Sequence, residues 1–325
     1  MTSVRRGLLA LALSAAGVSA GLVATAASAT AATPPVYAAL GDSYAAGYGL
    51  PAPAVLTGQP VPGCAQTDLD YPHQVATALH LALTDIACSG AKTDDFYAPQ
   101  PVNGPSPAAQ LDALAAAKPS VVTVTIGGND LGFSTIATDC IAGTPTGPLL
   151  LHPTFSTCQD YYNSSAQGGG KAKNPYDKLA ATVAKVRAAV AAVKRAAPKA
   201  KVYVIAYPAI APDAANTPAG GCFAAELTPP GTLFPSALPF TDSDVPYLQK
   251  LQQQLDTRIG NASTAVGAHY VDIYPSSLTH SACSPESTRW VEPVLPGGGG
   301  TNSLHPSLAG TRAMATALVR AMVTG

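Results

Sequence analysis

Four residues that lie far apart in the sequence carry groups that could together perform acyl transfer. They are Ser43, Gly90, Asn129 and His305. Acyl transfer requires a nucleophile, a base within hydrogen-bonding reach of it, and donors directed at the developing oxyanion. A serine hydroxyl can be the nucleophile, and a histidine titrates in the range that suits a general base near neutral pH. The pattern therefore indicates serine hydrolase chemistry, provided that the fold brings the four residues together.

Ser43 follows a predicted buried strand. The apolar run over residues 36–40 ends in Gly41-Asp42-Ser43, and small residues with more glycine come next. Open α/β folds bind their ligands at the carboxyl edge of the sheet, where such a serine would lie. If a helix begins just after the turn, the Ser43 N–H points into the site as an oxyanion donor. A serine at a strand-to-helix turn can equally be a helix N-cap, so this stretch alone leaves both roles open.

Two further predicted strands end in residues that could donate to an oxyanion. Residues 83–87 form a short predicted strand, and Gly90 lies in the turn after it. Gly90 has no Cβ, so its backbone can approach a substrate closely. Residues 121–126 are continuous and β-branched, as in a parallel strand covered on both faces, and Asn129 follows them after two glycines. An asparagine in that position is more often a turn residue, and only its occurrence together with Ser43, Gly90 and His305 favours an oxyanion role.

His305 is the candidate base, next to Pro306 and shortly after the glycine-rich run at residues 297–300. A lone histidine before a proline is usually a cap or a surface residue, so the case for His305 depends on the other three residues. The remaining histidines are not accompanied by such motifs and are interpreted as structural or exposed: His73, His80, His152, His269 and His280.

The elements that must position these residues alternate between strands and helices. Two more strands are predicted over residues 201–207 and 269–273, and helices over residues 72–81, 107–117, 179–197, 247–259 and 307–323. Helix-sized crossovers predict one mainly parallel sheet of about five strands with helices on both faces. Residues 139–176 and 211–240 read as loops, and residues 30–325 as a single domain.

Composition and charge exclude several classes of function. The 325 residues are 47% apolar and 11% charged, with a net charge of −1, which favours a sizeable core. Nucleic-acid binding would need a clustered basic surface, so we expect no nucleic-acid partner. Asp139, Asp272 and Glu286 show no spacing typical of a metal site. We therefore expect no metal and no cofactor, and we expect a monomer.

Residues 1–29 have the pattern of a secretory signal peptide. Arg5 and Arg6 precede an apolar stretch over residues 7–23, and Ala27-Ser28-Ala29 resembles a cleavage site. An uncleaved membrane anchor is the alternative, but a run rich in Ala, Gly and Ser is weakly hydrophobic, which favours cleavage. No other run approaches the ~18 apolar residues that a second span would need. We expect a secreted protein without a stable membrane anchor.

Six cysteines fit an exported chain. Six cysteines allow fifteen pairings, and the sequence cannot choose among them. The simplest is pairing in chain order, which would staple Pro/Gly-rich loops: Cys64 with Cys88, Cys140 with Cys158, and Cys222 with Cys283.

The four blocks resemble, in order and spacing, those of the SGNH hydrolase superfamily, also called GDSL esterases and lipases. They are Gly41-Asp42-Ser43, Gly90, Gly127-Gly128-Asn129-Asp130 and His305-Pro306, and they cover essentially the whole mature chain. The six cysteines and the leader are similar to those of secreted bacterial lipases and phospholipases of the family. The resemblance implies a flavodoxin-like three-layer α/β/α sandwich. It also implies an acyl-enzyme on Ser43, with His305 as base and with Ser43, Gly90 and Asn129 as the oxyanion hole.

The chain departs from this pattern beside the histidine. The family commonly has Asp three residues before the histidine, and this chain has Asn302. An amide cannot stabilise an imidazolium by charge, and the equivalent change in a serine protease costs about 10⁴ in kcat. A main-chain carbonyl, that of Ser303 or one near Trp290, could orient His305 instead, or the Asn302 amide oxygen could. We favour the carbonyl, and we expect Asp42 to order its turn rather than to serve the histidine.

These observations predict a secreted, metal-independent serine ester hydrolase of lipase, phospholipase or esterase type, with an ester or lipid as its substrate. Apolar loops over residues 54–56, 148–155 and 233–240 could line an acyl groove, or they could be ordinary loop packing. Two alternatives stay open: a carbohydrate O-acetyl esterase, because the same residues serve acetyl groups, and a non-catalytic binding module that retains the fold.

Overall fold

Five parallel strands form one sheet at the centre of the part of the chain that the structure describes. The structure is a computed structural model, and it describes residues 33–50, 61–164, 174–223, 238–294 and 303–325. The strands are β1 (Val36–Gly41), β2 (Ala82–Asp85), β3 (Val121–Thr125), β4 (Lys201–Ile205) and β5 (His269–Val271). Their order is β2-β1-β3-β4-β5, and every neighbouring pair is parallel. The predicted fold class is confirmed.

Ten α-helical segments lie within the described ranges. They are α1 (Ser43–Ala46), α2 (Tyr71–Leu79), α3 (Gln110–Ala117), α4 (Gly128–Leu131), α5 (Phe133–Asp139), α6 (Cys158–Asn163), α7 (Pro175–Ala196), α8 (Asp244–Ala265), α9 (Tyr274–Ser277) and α10 (Leu308–Thr324). None of the described helices combines the length and the apolar content that a membrane crossing requires.

The helices cover the sheet on both faces because successive strand residues point to opposite sides. In β4, Val202 and Val204 face a core that contains α3, α7 and α8, whereas Tyr203 and Ile205 face a second core that contains α2 and α10. Strand β4 therefore buries large side chains on both faces, as is typical of a covered parallel sheet.

Several predicted helix bounds differ from the structure. Helix α8 runs from Asp244 to Ala265, beyond the predicted 247–259. Pro246 fits its first turn, because the N–H groups there make no hydrogen bond within the helix. Gly260 fits its interior because a Cβ there would lie 2.5 Å from the Tyr270 ring. Helices α5 and α6 lie in segments for which no helix was predicted, and α3 begins at Gln110 rather than at residue 107.

Three disulfides cross-link the loops, and they join the cysteines in chain order. Cys64 is bonded to Cys88, Cys140 to Cys158, and Cys222 to Cys283. The first of them links the segment before α2 to the turn after β2 that carries Gly90, so it constrains one wall of the site described below.

Candidate active site

Ser43 is the first residue of α1, directly after β1. Asp42, not Ser43, is the N-cap of this short helix, because its carboxylate accepts the Tyr44 N–H at 3.0 Å. Gly41 is required before it, because its φ is 135° and a Cβ would lie 2.2 Å from the carbonyl oxygen of Thr125. Ser43 is 8% exposed at the carboxyl end of the sheet. The N-cap role considered for Ser43 is thus taken by its neighbour.

His305 lies beside Ser43, although 262 residues separate them. Its Nε2 is 2.8 Å from the Ser43 Oγ, and its Nδ1 is 2.9 Å from the carbonyl oxygen of Ser303. A carbonyl only accepts, so Nδ1 carries the proton and Nε2 is left to accept from the serine hydroxyl. Burial lowers the pKa of His305, and the bond to the Ser303 carbonyl partly opposes this effect. The imidazole is therefore neutral at neutral pH, the form a base needs.

The loop that carries His305 is held by backbone pairing. The Leu304 N–H donates to the Glu292 carbonyl at 2.9 Å, and the Glu292 N–H donates to the His305 carbonyl at 2.8 Å. Leu304 has a φ of 60°, in the left-handed region, which turns the chain so that the Ser303 carbonyl meets the ring. The other candidate was a carbonyl near Trp290; the Trp290 carbonyl itself accepts from the Ser307 N–H at 2.8 Å. Asn302 lies outside the described residues.

Gly90 and Asn129 line the same cavity as Ser43 and His305. Gly90 has a φ of 80°, which favours a glycine. The Asn129 side chain donates from Nδ2 to the Ala91 carbonyl at 3.0 Å, and this bond fixes the amide beside the Gly90 turn. An amide nitrogen carries two hydrogens, so one remains for another acceptor. The structure thus brings all four predicted residues to one end of the sheet.

The cavity that these residues line has a volume of about 370 Å³ and mostly apolar walls. Two helices supply much of the wall, α5 through Phe133, Ile136 and Ala137, and α8 through Leu248, Leu251 and Leu255. An apolar cavity with a few polar groups at one end is the usual form of a small-molecule site.

Residues 39–313 match the GDSL-like lipase/acylhydrolase family. The chain belongs to this family. The resemblance seen in the four sequence blocks is confirmed, and the protein is a carboxylic ester hydrolase. The chain is 36% identical to "Lipase 2" of Streptomyces coelicolor, over 86% of this chain and 83% of that protein.

Two solved structures share the fold of this GDSL-family hydrolase. The extracellular lipase of Streptomyces rimosus superimposes with a TM-score of 0.61 at 22% identity, over 88% of this chain and 99% of that one. Phospholipase A1 of Streptomyces albidoflavus NA297 superimposes with a TM-score of 0.60 at 23% identity, over 89% and 99% of the two chains. At these identities the comparison supports the fold.

The apolar loops proposed as an acyl groove contribute only in part. Phe240 lines the cavity, but residues 54–56 and 233–237 lie outside the described residues. The loop at 148–155 is not part of the lining: Leu149 packs on Ala142 and Phe223, while Leu150 and Leu151 are 42% and 59% exposed. The walls from α5 and α8 were not predicted. In α8 the only sequence signal was the apolar spacing at 248, 251 and 255.

The sequence also gave no indication of two tyrosines behind the nucleophile. Tyr207 donates its hydroxyl to the second carboxylate oxygen of Asp42 at 2.5 Å, and Tyr44 donates its hydroxyl to the Leu304 carbonyl at 2.5 Å. Burial raises the pKa of Asp42 to about 7, and the hydrogen bond from Tyr207 acts against this rise. Asp42 orders its turn, and it does so as part of a buried network.

A separate titratable cluster lies beside α2. Asp70 caps this helix by accepting from the backbone N–H of His73 at 2.8 Å, and its carboxylate also contacts the His73 ring at 2.8 Å. One potential ligand atom from each of Asp70, His73 and Asp85 lies within 4.8 Å of the others. This grouping was not anticipated from sequence spacing. The cap and the contact between the Asp70 carboxylate and the His73 ring account for the positions of these two residues, and none of the three lines the cavity.

Proposed function

We propose that this hydrolase is a secreted serine esterase that cleaves carboxylic esters through an acyl-enzyme on Ser43, with His305 as the general base. One observation carries the proposal. It is the 2.8 Å contact between the Ser43 Oγ and the His305 Nε2, at the polar end of an apolar cavity.

The first chemical step is proton transfer coupled to attack. The neutral His305 accepts the Ser43 proton at Nε2 as Oγ adds to the ester carbonyl. The resulting imidazolium donates from Nδ1 to the Ser303 carbonyl, whose dipole takes the place of the usual carboxylate. His305 then returns the proton to the leaving alcohol, and a water molecule hydrolyses the acyl-enzyme by the same route.

The negative oxygen of the tetrahedral intermediate would be held by three donors. The proposed donors are the Ser43 and Gly90 backbone N–H groups and the second hydrogen of the Asn129 amide, and all three residues line the cavity. Such donors act strongly where water is excluded, and loss of one typically costs about 10²–10³ in kcat.

The cavity walls support an acyl chain as the group that is bound. Each methylene moved from water into an apolar site contributes about 0.8 kcal/mol, or roughly a factor of four. An acetyl group would fill only a small part of a cavity of about 370 Å³. The apolar lining therefore favours a lipase, phospholipase or long-chain esterase over a carbohydrate O-acetyl esterase.

Secretion is supported by the leader at residues 1–29, which lies outside the described residues, and by the three disulfides. We propose residues 30–325 as one catalytic domain that acts as a monomer, since one chain supplies every group of the site.

The test uses a fluorophosphonate probe and a panel of p-nitrophenyl esters from acetate to palmitate, with Ser43→Ala as the control. We expect labelling of the wild type alone, and kcat/KM that rises with chain length until the cavity is full. Activity confined to acetate would instead favour an O-acetyl esterase. Absence of both labelling and turnover in folded wild-type protein would favour a non-catalytic binding module.

A further inference from the structure

We propose that Tyr207 is a positioning residue. Its hydroxyl joins the turn of Ser43 to the turn of Asn129 and so keeps the oxyanion donors in the correct position relative to one another. The inference rests on the proposed function, because it assigns Tyr207 a role through those donors. Tyr207 follows β4, and nothing in its sequence surroundings marks it.

The contacts of the Tyr207 hydroxyl carry the proposal. It donates to the Asp42 Oδ2 at 2.5 Å and accepts the Gly128 N–H at 3.0 Å. Asp42 immediately precedes Ser43, and Gly128 immediately precedes Asn129. One phenolic oxygen thus bonds to the residue before each of two proposed donors, which come from two different strand ends. A hydroxyl has one hydrogen to donate, so its use toward Asp42 leaves the oxygen lone pairs for Gly128.

The Asp42 carboxylate completes the arrangement on the Ser43 side. Its Oδ1 accepts the Tyr44 N–H at 3.0 Å, so each carboxylate oxygen receives one hydrogen bond. The ionised carboxylate accepts both bonds and has no hydrogen of its own that needs an acceptor. A protonated Asp42 would have a hydrogen of its own to place and would compete with the Tyr207 donor.

Tyr207 is itself held rigidly. Its backbone N–H donates to the Asp256 Oδ1 of α8 at 3.1 Å, and its ring meets the Tyr44 ring edge-on at a centroid distance of 4.9 Å. The Gly128 backbone packs directly on it, since a Cβ on Gly128 would lie 3.4 Å from the Tyr207 hydroxyl oxygen. A group fixed on three sides can position its neighbours in a way that a mobile side chain cannot.

The Tyr44 ring extends the same network to the base. Its hydroxyl donates to the carbonyl of Leu304 at 2.5 Å, and Leu304 immediately precedes His305. The two contacting rings therefore connect the serine, asparagine and histidine turns to one another.

The test compares Tyr207→Phe with Tyr37→Phe. Tyr37 is an equally buried tyrosine whose hydroxyl bonds to Thr123 at 2.7 Å, in the opposite core and away from the cavity. We expect Tyr207→Phe to lower kcat by about 10- to 100-fold with KM changed by less than about threefold, because misplacement of donors affects the transition state most. Tyr37→Phe should keep kcat within about twofold, even if both variants lose thermal stability.

The pH profile supplies a second readout that a purely structural role would not move. Loss of the Tyr207 hydroxyl removes a hydrogen bond that lowers the pKa of Asp42, so the pKa of Asp42 should rise. The acid limb of the kcat/KM profile should therefore move to higher pH in Tyr207→Phe and stay in place in Tyr37→Phe. The other titratable groups around this site are Tyr44 on α1, Tyr71 on α2, Asp130 on α4, Asp256 on α8, and His305.

A double-mutant cycle keeps the proposal testable if Tyr207→Phe folds poorly. Asp42→Ala removes the acceptor on the other side of the same link, so it should lower kcat by at least a similar factor, and the double variant should lose little more than Asp42→Ala alone. Wild-type kcat and an unmoved profile in both single variants would overturn the positioning role. If Ser43→Ala is inactive in the same assays, the proposed function survives that result, whereas an active Ser43→Ala would overturn the proposed function itself.

Discussion

His305 and Ser303 are joined by a hydrogen bond within a single turn of the chain, from the imidazole Nδ1 to the main-chain carbonyl at 2.9 Å. A position commonly filled by a carboxylate is thus served by the backbone, two residues before the histidine. The carbonyl fixes the tautomer as a carboxylate would, but it offers a dipole where a carboxylate offers a full charge. The consequences of having a carbonyl instead of a carboxylate beside His305 can be measured.

Replacement of Asn302 by alanine should have little effect on catalysis. If the Ser303 carbonyl orients His305, Asn302→Ala keeps kcat within about threefold, because the tautomer is still held. Steady-state kinetics on a nitrophenyl ester test this, with His305→Ala as the inactive control. A loss of about 10³ or more in Asn302→Ala would instead assign the orienting role to its amide oxygen.

The pKa of His305 should lie below 6.5, the ordinary value for histidine. Burial disfavours the imidazolium, and no carboxylate among the described residues contacts the ring to offset this effect. NMR titration of the imidazole C–H signals measures the pKa directly, and the spectrum of His305→Ala identifies the resonance. A pKa above 6.5 would mean that a negative group outside the described residues reaches the ring.

Asp42 should make the protein less stable as the pH rises from about 4 to 7. Burial raises its pKa from 3.8 to about 7, so between these values the folded protein binds a proton that the unfolded chain has released. Stability associated with Asp42 is therefore greatest below pH 4 and is lost as the pH approaches 7. The rise of the pKa from 3.8 to about 7 corresponds to at most about 4 kcal/mol of unfolding free energy.

The difference in unfolding free energy between wild type and Asp42→Asn isolates this effect from those of other buried carboxyl groups. Urea unfolding at pH 4 and pH 8 should show the wild type losing stability relative to Asp42→Asn at the higher pH. A difference that stays constant with pH would show that Asp42 titrates normally.

Filling the cavity from α5 should shorten the preferred acyl chain. Ala137 lines the cavity and is only partly buried, so Ala137→Leu can be accommodated while it takes up space for methylenes. We expect kcat/KM for long-chain esters to fall at least about tenfold and that for acetate to stay within about twofold. Thr135→Leu, on the exposed face of the same helix, is the matched control. Equal losses on both esters in Ala137→Leu would place the acyl chain elsewhere.

The sequence by itself predicted the framework and the four residues that meet at the candidate site. Continuous β-branched or apolar runs, such as residues 121–125, form strands because both faces of a parallel sheet are covered, and this requirement is visible locally. Each of the four residues follows a feature that the local sequence shows, either a predicted strand end or a glycine-rich stretch: Ser43, Gly90, Asn129 and His305. Their order along the chain was therefore sufficient to group them.

Only the tertiary structure decided which groups support these four residues. Every residue has a carbonyl, so no residue type marks Ser303 as the partner of His305; the left-handed turn at Leu304 selects it. Likewise, the link from Tyr207 to Asp42 spans 165 residues and depends on the order of strands in the sheet. Strand order and loop pairing arise from contacts between distant segments, which local residue patterns do not encode.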